Sequence, residues 1–459
     1  MHDQSRLLST GYRSLFVLMC FLVAVFNFAD RAVFAVLAQQ LKLDLGLNDF
    51  QLGLLQGLAF ALLYAFLGLP IGRLAERTSR IRIIAVSLVF WSAMTAACGT
   101  ITSFTQLLLC RVGVGMGEAG SQPATSSLVG DHFPRERRTS IMSLIMLGSP
   151  LGTLLGAVVG GWVAAHWGWR MAFFALGVPG IALGGLVLVL LREPSRGLVD
   201  GLPAYGVPLP DLRAFVRVVM RKRALFLVIL GGALAGFGMT SISQFLAVYL
   251  ARTYQLPVAQ AASLYGTISA LALTTGLLMG SFGTDWLASR GDPRWPAWGA
   301  AAGLFTAPFL YWIAFNAQSV VSGSILLTVA GVALLIYYGP TLGMIQNMLE
   351  PRMRATGAAL FAILYTIFGY GLGPTTVGWL SDRFAAADYG AGNYLVACHG
   401  SSAALRRAAS ATDACAIAAT HGVRSALMVA VSVLFVASLL YLLAAGSLRR
   451  DYYRADVAP

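Results

Sequence analysis

Twelve apolar runs, each about as long as a helix needs to be to cross a bilayer, constrain this chain of 459 residues more than any other feature. They fall near 14–40, 51–71, 83–101, 105–129, 141–165, 172–191, 224–249, 260–284, 297–315, 320–348, 355–380 and 423–446. Lipid offers no partner for a free backbone N–H or C=O, so runs of this length fold as membrane-spanning helices. Composition agrees, since 58% of residues are hydrophobic and only 11% charged, about half the charged share of a soluble domain. An even number of crossings places both termini on one side.

The net charge of +13 raises nucleic acid as a partner, but the basic residues follow topology instead of forming one patch. With cytoplasmic termini, 23 of the 32 Lys and Arg are cytoplasmic: 2 in the N-terminal tail, then 4, 3, 7, 2 and 2 in successive loops, and 3 in the C-terminal tail. The opposite face holds 7, and the remaining two, Arg31 and Arg111, lie inside runs. This is the positive-inside pattern, which sets both termini in the cytoplasm. Arg6 and Arg13 ahead of an apolar run imitate a signal peptide. No small-residue cleavage site follows promptly, so the run reads as an uncleaved first helix.

Inside the first run stands Asn27-Phe28-Ala29-Asp30-Arg31, an acid and a base side by side near mid-membrane. Charge at that depth costs roughly 2.5–3.5 kcal/mol per residue even on lenient insertion scales. The run is expected to end at Gln39 and Gln40. The fourth run supplies Arg111-Val112-Gly113-Val114-Gly115-Met116-Gly117-Glu118-Ala119-Gly120. Arg111 and Glu118 are seven residues apart, so they share one helix face about 10.5 Å apart along the axis. Asp30 and Glu118 read as proton-responsive acids, with Arg31 and Arg111 as their partners and as candidate anion sites. A purely structural ion pair is the alternative. The four glycines keep that face thin enough for a neighbour, water or a ligand.

Glycines Gly53, Gly57 and Gly68 in the second run, and Gly148, Gly152, Gly156 and Gly160 in the fifth, read as close-packing surfaces. The turn after the second run is Gly72-Arg73-Leu74-Ala75-Glu76-Arg77-Thr78-Ser79-Arg80. Its acid amid arginines suits a cytoplasmic gate of Gly72, Glu76, Arg77 and Arg80 closing against Glu350; a positive-inside loop with an incidental Glu fits equally well.

The polar, proline-bearing segment after the sixth run is the domain boundary, giving 1–191, a cytoplasmic linker 192–222 and 223–459. Within it Leu212, Phe215, Val216 and Val219 repeat at helical spacing with Arg213, Arg217 and Arg221 mostly opposite, an amphipathic helix for the inner leaflet. The second half has no mid-depth charge. Ser241, Gln244, Tyr337, Tyr338, Gln346, Tyr365 and Tyr370 are its cavity candidates, joined by Asn27 from the first run, and interhelical packing is the alternative role. Cys20, Cys98 and Cys110 sit in apolar runs as packing residues. Cys398 and Cys415 share the long outer loop, where a disulfide is permitted and spacing leaves the pairing open.

Together these residues resemble a major facilitator superfamily transporter. The motif in the turn after the second run runs glycine, three residues, acid, arginine and a basic pair, here with Glu76 for the usual Asp and Ser79 for the usual glycine. The chain is similar to the Spinster branch through Ala29-Asp30-Arg31, Arg111 with Gly115-Met116-Gly117-Glu118-Ala119, Asp131-His132-Phe133-Pro134, Gly168-Trp169-Arg170-Met171-Ala172-Phe173 and Arg192-Glu193-Pro194. The match is dense over 20–197 and thin beyond.

The resemblance implies an all-α membrane protein with twelve transmembrane helices in two pseudo-symmetric six-helix bundles. It also implies proton-linked or facilitated movement of lysophospholipid-like or sphingosine-1-phosphate-like solutes by alternating access. The antiporter signature of the fifth run is imperfect, with Ser149 before Pro150 and Gly152 off the spacing, so direction is not implied.

Small organic anions or drugs are alternative cargo on the same fold. A lipid-modifying enzyme is disfavoured because His2, His132, His166, His399 and His421 lie outside the helix cores and no Ser nucleophile motif appears. A channel is disfavoured because the charges do not form a ring. The expectation is a monomeric transporter of a bacterial inner membrane, with an amphipathic or anionic substrate and protons as partners, and without cofactor, metal or nucleic acid.

Overall fold

A computed structural model describes residues 9–195, 199, 212–350, 353–390, 393–399 and 409–452, with the side chains of a few helical residues among them left out. Among the described residues every regular element is helical, and eleven helices are long and apolar enough to cross a membrane. The fourth run is not among those eleven; like the second, fifth and tenth it is carried by two consecutive helices, here α5 (Phe104–Glu118) and α6 (Ser121–His132), that meet at Ala119 and Gly120.

The chain forms two compact units. The first comprises 1–47, 58–206 and 255–267; the second comprises 48–57, 207–254 and 268–459. The short stretch 48–57, flanked on both sides by first-unit chain, therefore belongs to the second unit.

In the first unit α1 (Thr10–Leu45) is capped by Ser9, which accepts the Tyr12 N–H. It continues past the expected stop at Gln39 and Gln40, because Leu41 and Lys42 are buried and the chain turns only at Gly46. There φ is 65°, a left-handed conformation that glycine adopts without a Cβ clash. The other first-unit helices are α3 (Leu58–Arg77), α4 (Arg80–Cys98), α5, α6, α7 (Arg135–Met146), α8 (Gly148–Trp167) and α9 (Trp169–Leu190).

The glycine stripe of α8 lies on α1. A Cβ at Gly148 would stand 2.9 Å from Ala24 Cβ and the Phe21 carbonyl, one at Gly156 2.5 Å from Ala29 Cα, and one at Gly160 2.5 Å from Val33. Gly152 meets the Val25 backbone. This close approach holds the helix that carries Asp30. In α5 the thin face is filled by neighbours: Gly113 faces Met94, Gly115 the Phe60 carbonyl and Gly117 Trp91, while Gly120 faces Ser87.

The second unit starts with α2 (Asp49–Gln56), opened by a capping box in which Asn48 Oδ1 accepts the Gln51 N–H at 2.7 Å and Gln51 Oε1 accepts the Asn48 N–H at 3.0 Å. After it come α10 (Leu212–Arg221), α11 (Arg223–Thr253), α12 (Val258–Leu278, whose first turns belong to the first unit), α13 (Thr284–Arg290), α14 (Trp295–Phe315) and α15 (Val320–Leu335). The unit closes with α16 (Tyr338–Met348), α17 (Arg354–Leu364), α18 (Gly373–Tyr389), α19 (Tyr394–His399) and α20 (Ala409–Asp451). Wider π-helical turns at Met279–Gly283 and Tyr365–Leu372 interrupt the eighth and eleventh runs.

Gly53 and Gly57 lie against the backbone or side chains of Pro374, Thr375 and Gly371, as close packing requires. Gly68 has nothing within 4 Å and does not contribute. In α10, Phe215 and Val219 are buried while Val216 and Met220 are exposed. Lys222 then donates to the carbonyls of Met348 at 2.6 Å and Asp451 at 2.9 Å, tying the linker's end to the last helix.

Cys398 and Cys415 are joined by a disulfide, with Cα atoms 5.7 Å apart, whereas Cys20, Cys98 and Cys110 are free thiols. Alkylation of the denatured, unreduced protein is therefore expected to label those three cysteines and, after reduction, all five. Labelling of five without reductant would contradict the bridge.

Candidate functional site

Asp30, Arg31, Arg111 and Glu118, the charged residues inside the first-unit runs, lie on α1 and α5, with α4 beside Asp30. Consecutive helical residues diverge by about 100°, so Asp30 and Arg31 leave α1 in different directions despite being neighbours. Arg31 reaches α5, where its Nε and Nη2 donate to Glu118 Oε2 at 2.9 and 2.5 Å. Glu118 ends α5, and its side chain is fully buried while that of Arg31 is 14% exposed. The guanidinium also lies 4.7 Å from the Phe60 ring centroid, 5.5 Å from Phe28 and 5.7 Å from Tyr64. Cation–π attraction of this kind strengthens when the ring and the cation are both desolvated.

Arg111 is buried, with its guanidinium 4.3 Å from the Phe34 centroid and 5.8 Å from Phe60. Phe60 is thus shared by two cations. Arg111 and Glu118 do share a face of α5, since each meets a residue of α1, namely Phe34 and Arg31.

Asp30 differs from the other three. It is 1% exposed, beside Trp91 and Thr95 of α4, and neither carboxyl oxygen completes a hydrogen bond among the described residues. Of the expected acid–arginine partnerships, the one formed is Arg31 with Glu118, and helix geometry turns Arg31 away from Asp30. The indole N–H of Trp91 and the hydroxyls of Ser92 and Thr95 are likewise buried without a hydrogen-bond partner among the described residues. Asp30 is therefore a buried acid outside any ion pair among the described residues, in surroundings that retain unused donors and acceptors. Asn27, four residues before Arg31 on α1, is half-buried.

The second-unit candidates form a tyrosine cluster. Ring centroids are 6.0 Å apart for Tyr337 and Tyr338, 5.8 Å for Tyr338 and Tyr365, and 5.9 Å for Tyr365 and Tyr370. The Tyr365 hydroxyl donates to Met239 Sδ at 3.1 Å, while the buried Tyr337 hydroxyl makes no hydrogen bond among the described residues. Gln244 lies with Ser241 on α11, and its amide donates to the Gln56 carbonyl at 3.4 Å. The hydroxyl of Ser241 and the amide of Gln56 are buried with open capacity. Gln346 is exposed on α16.

Of the gate candidates, Gly72 lies in α3, the side chains of Glu76 and Arg77 lie outside the described residues, and so does the expected contact of Glu350 with the gate loop. Arg80 is 1% exposed and bound wholly within the first unit: to Asp131, to Glu193 Oε1 at 2.7 Å, to Ser127 Oγ at 2.9 Å and to the Pro194 carbonyl at 3.4 Å. Glu193 also accepts the Ser79 hydroxyl and the Ile81 N–H, so it caps α4 and anchors the start of the linker. Glu350 is half-buried, and its carbonyl accepts the Met353 N–H at 2.8 Å.

One second-unit cluster was not anticipated. The Asp49 carboxylate, fully buried, is held by both Nη atoms of Arg252 at 2.7 Å and by the Ser381 hydroxyl at 2.6 Å. Asp382 accepts the first N–H groups of α2, from Asp49 at 3.1 Å and Phe50 at 2.8 Å. Two carboxylates thus fix the positive end of α2 onto α18.

The comparisons with known proteins agree with this architecture. The Major Facilitator Superfamily profile matches residues 20–374. The crystal structure of a bacterial homologue of the human lysosomal transporter Spinster, in an inward-facing and unoccupied conformation, superposes with a TM-score of 0.85 at 29% identity, covering 97% of this chain and 100% of that one. An MFS-type efflux pump of Mycolicibacterium smegmatis is 31% identical over 79% of this chain and 82% of its own length. The sphingosine-1-phosphate transporter SPNS2 of Mus musculus is 26% identical over 78% and 68% respectively. This chain belongs to the major facilitator superfamily of membrane transporters and is not an enzyme. Within that superfamily it is of the Spinster type.

Proposed function

We propose that the protein is a proton-coupled transporter that moves an amphipathic, lipid-like solute, of the lysophospholipid or sphingosine-1-phosphate kind, by alternating access. It works as a monomer in a bacterial inner membrane, with both termini cytoplasmic. The observation that carries this reading is Asp30, a carboxyl at the centre of a membrane helix with no ion-pair or hydrogen-bond partner among the described residues. Such a group is costly in lipid unless it serves an ion or substrate path. When Asp30 changes its charge, the field at the adjacent Arg31–Glu118 pair and at Arg111 changes with it. Loosening that pair frees a planar guanidinium fork suited to a phosphate or carboxylate head group. The tyrosine cluster, with Ser241 and Gln244, offers aromatic surface and a few polar groups to the rest of the solute. Gly72, Glu76, Arg77 and Glu350 serve the cytoplasmic gate, and Arg80 braces the helix behind it.

The efflux pump among the relatives favours a second reading, export of small organic anions or drugs on the same fold. Ligand-induced thermal shifts across lysolipids, sugar acids and lipophilic cations, at two pH values, distinguish the two.

Coupling is tested in liposomes with an imposed pH gradient. Asp30→Asn is expected to reduce gradient-driven uptake about tenfold or more while exchange at equal pH persists. If Asp30→Asn and Glu118→Gln proteins both keep full gradient-driven uptake, coupling through these acids is wrong.

A further inference from the structure

The second unit has a groove of about 600 Å³ between α14 and α15, lined by Trp312, Ile313, Asn316, Ser322 and Leu326. Beside it stands Arg424 of α20, whose guanidinium donates to Asn316 Oδ1 and makes no ion pair among the described residues. Asp388, a carboxylate near the end of α18, is paired with His421 at 2.9 Å instead. Asn316 is held in turn, since its amide donates to the Trp312 carbonyl at 2.6 Å, and the Trp312 indole donates to the Met428 carbonyl at 3.2 Å.

The depth of this site follows from the sequence. From Ser425 to Leu448, α20 has 24 residues without a charge, about 36 Å of helix at 1.5 Å per residue. That length covers a hydrocarbon core of about 30 Å. Arg424, immediately before the run, stands where the head groups begin, and Asn316 caps the end of α14 beside it. Below them the surface turns apolar: Ile313 is 57% and Ile325 59% exposed, and Phe305, Phe309 and Phe435 meet edge to face with centroids 5.1–5.7 Å apart.

We infer that this groove is a docking site for an anionic phospholipid of the surrounding bilayer, with its phosphate on Arg424 and Asn316 and an acyl chain in the groove. Charge complementarity selects the occupant, because an arginine with no carboxylate partner at head-group depth matches a net-negative head group. The apolar lining continues into membrane-facing surface, which suits a lipid more than a soluble anion. The groove shares no residue with the proposed coupling site, and its test needs no transport.

The experiment measures thermal stabilisation of purified protein in a neutral detergent, titrated with phosphatidylglycerol, phosphatidylcholine or inorganic phosphate. Phosphatidylglycerol is expected to stabilise the protein at lower concentration than phosphatidylcholine, and phosphate alone to have no effect. Arg424→Gln, which keeps a hydrogen-bonding side chain, should raise the half-saturating phosphatidylglycerol concentration about fivefold. Ser322→Trp, at an exposed position on the groove wall, should do likewise by filling it. Equal response to the two lipids, stabilisation by phosphate alone, or an unchanged phosphatidylglycerol titration in both variants would overturn the assignment.

Discussion

Replacing Arg252 with alanine is expected to cost about 3–5 kcal/mol of stability, because it strands a buried carboxylate. Asp49 has no exposed surface, and its two oxygens are shared between the Arg252 fork and the Ser381 hydroxyl. Without the fork, the buried carboxylate loses its bidentate cationic partner and keeps a neutral hydroxyl in its place. Arg252→Lys keeps the charge but loses the bidentate geometry, so its loss should fall between those of wild type and Arg252→Ala. The measurement is the thermal midpoint in detergent, combined with labelling of a cysteine introduced at Phe50. Stability within about 1 kcal/mol of wild type, the value typical of an exposed pair, would show that the interaction is no more than a surface contact.

The Arg31–Glu118 pair is the second place where a large effect is expected. Removing either partner, as Arg31→Ala or Glu118→Ala, should destabilise the first unit by about 3–5 kcal/mol, since each takes a desolvated charge away from its ion-pair contact. An apolar double replacement, Arg31→Met with Glu118→Leu, should be less destabilised than either single variant, because both desolvation costs disappear together. The same double variant is expected to fail in gradient-driven uptake. A double variant that loses the sum of the two single losses would mean that the groups act independently, contrary to the 2.5 Å contact between them.

Much of the site is legible in the sequence, for a simple reason. Charge inside an apolar run is rare and costly, so Asp30, Arg31, Arg111 and Glu118 stand out without any knowledge of the fold. Their pairing is not legible in the same way. Adjacent letters suggest that Asp30 and Arg31 face each other, yet the helix turns them apart, and Glu118, distant in sequence, is brought to Arg31. Phe60 is beyond reach too, since an aromatic in an apolar run carries no mark of the two guanidiniums that share it. Trp91, Ser92 and Thr95 leave a faint signal, two hydroxyls near a tryptophan in one apolar run.

The Asp49–Arg252 lock was missed for the opposite reason. Both residues sit at the ends of runs, where charge is ordinary, so only folding distinguishes them from solvated loop residues. The break in the fourth run likewise follows from Ala119 and Gly120 in context, because apolar composition alone reads through it.

By itself, the sequence determined that this protein crosses a membrane many times, that its helices fall into a repeated pattern of the major facilitator kind, and that its first half carries buried charge. Length, hydropathy and the cost of charge in lipid are properties of the chain, and they need no partner to be read. Only the tertiary structure decided which charge meets which, that Asp30 is the one without a hydrogen-bonded or ion-paired partner among the described residues, and that residues 48–57 are held by the second unit. Those outcomes depend on helix rotation and on the closeness that glycine faces permit, and both are set when helices pack against one another.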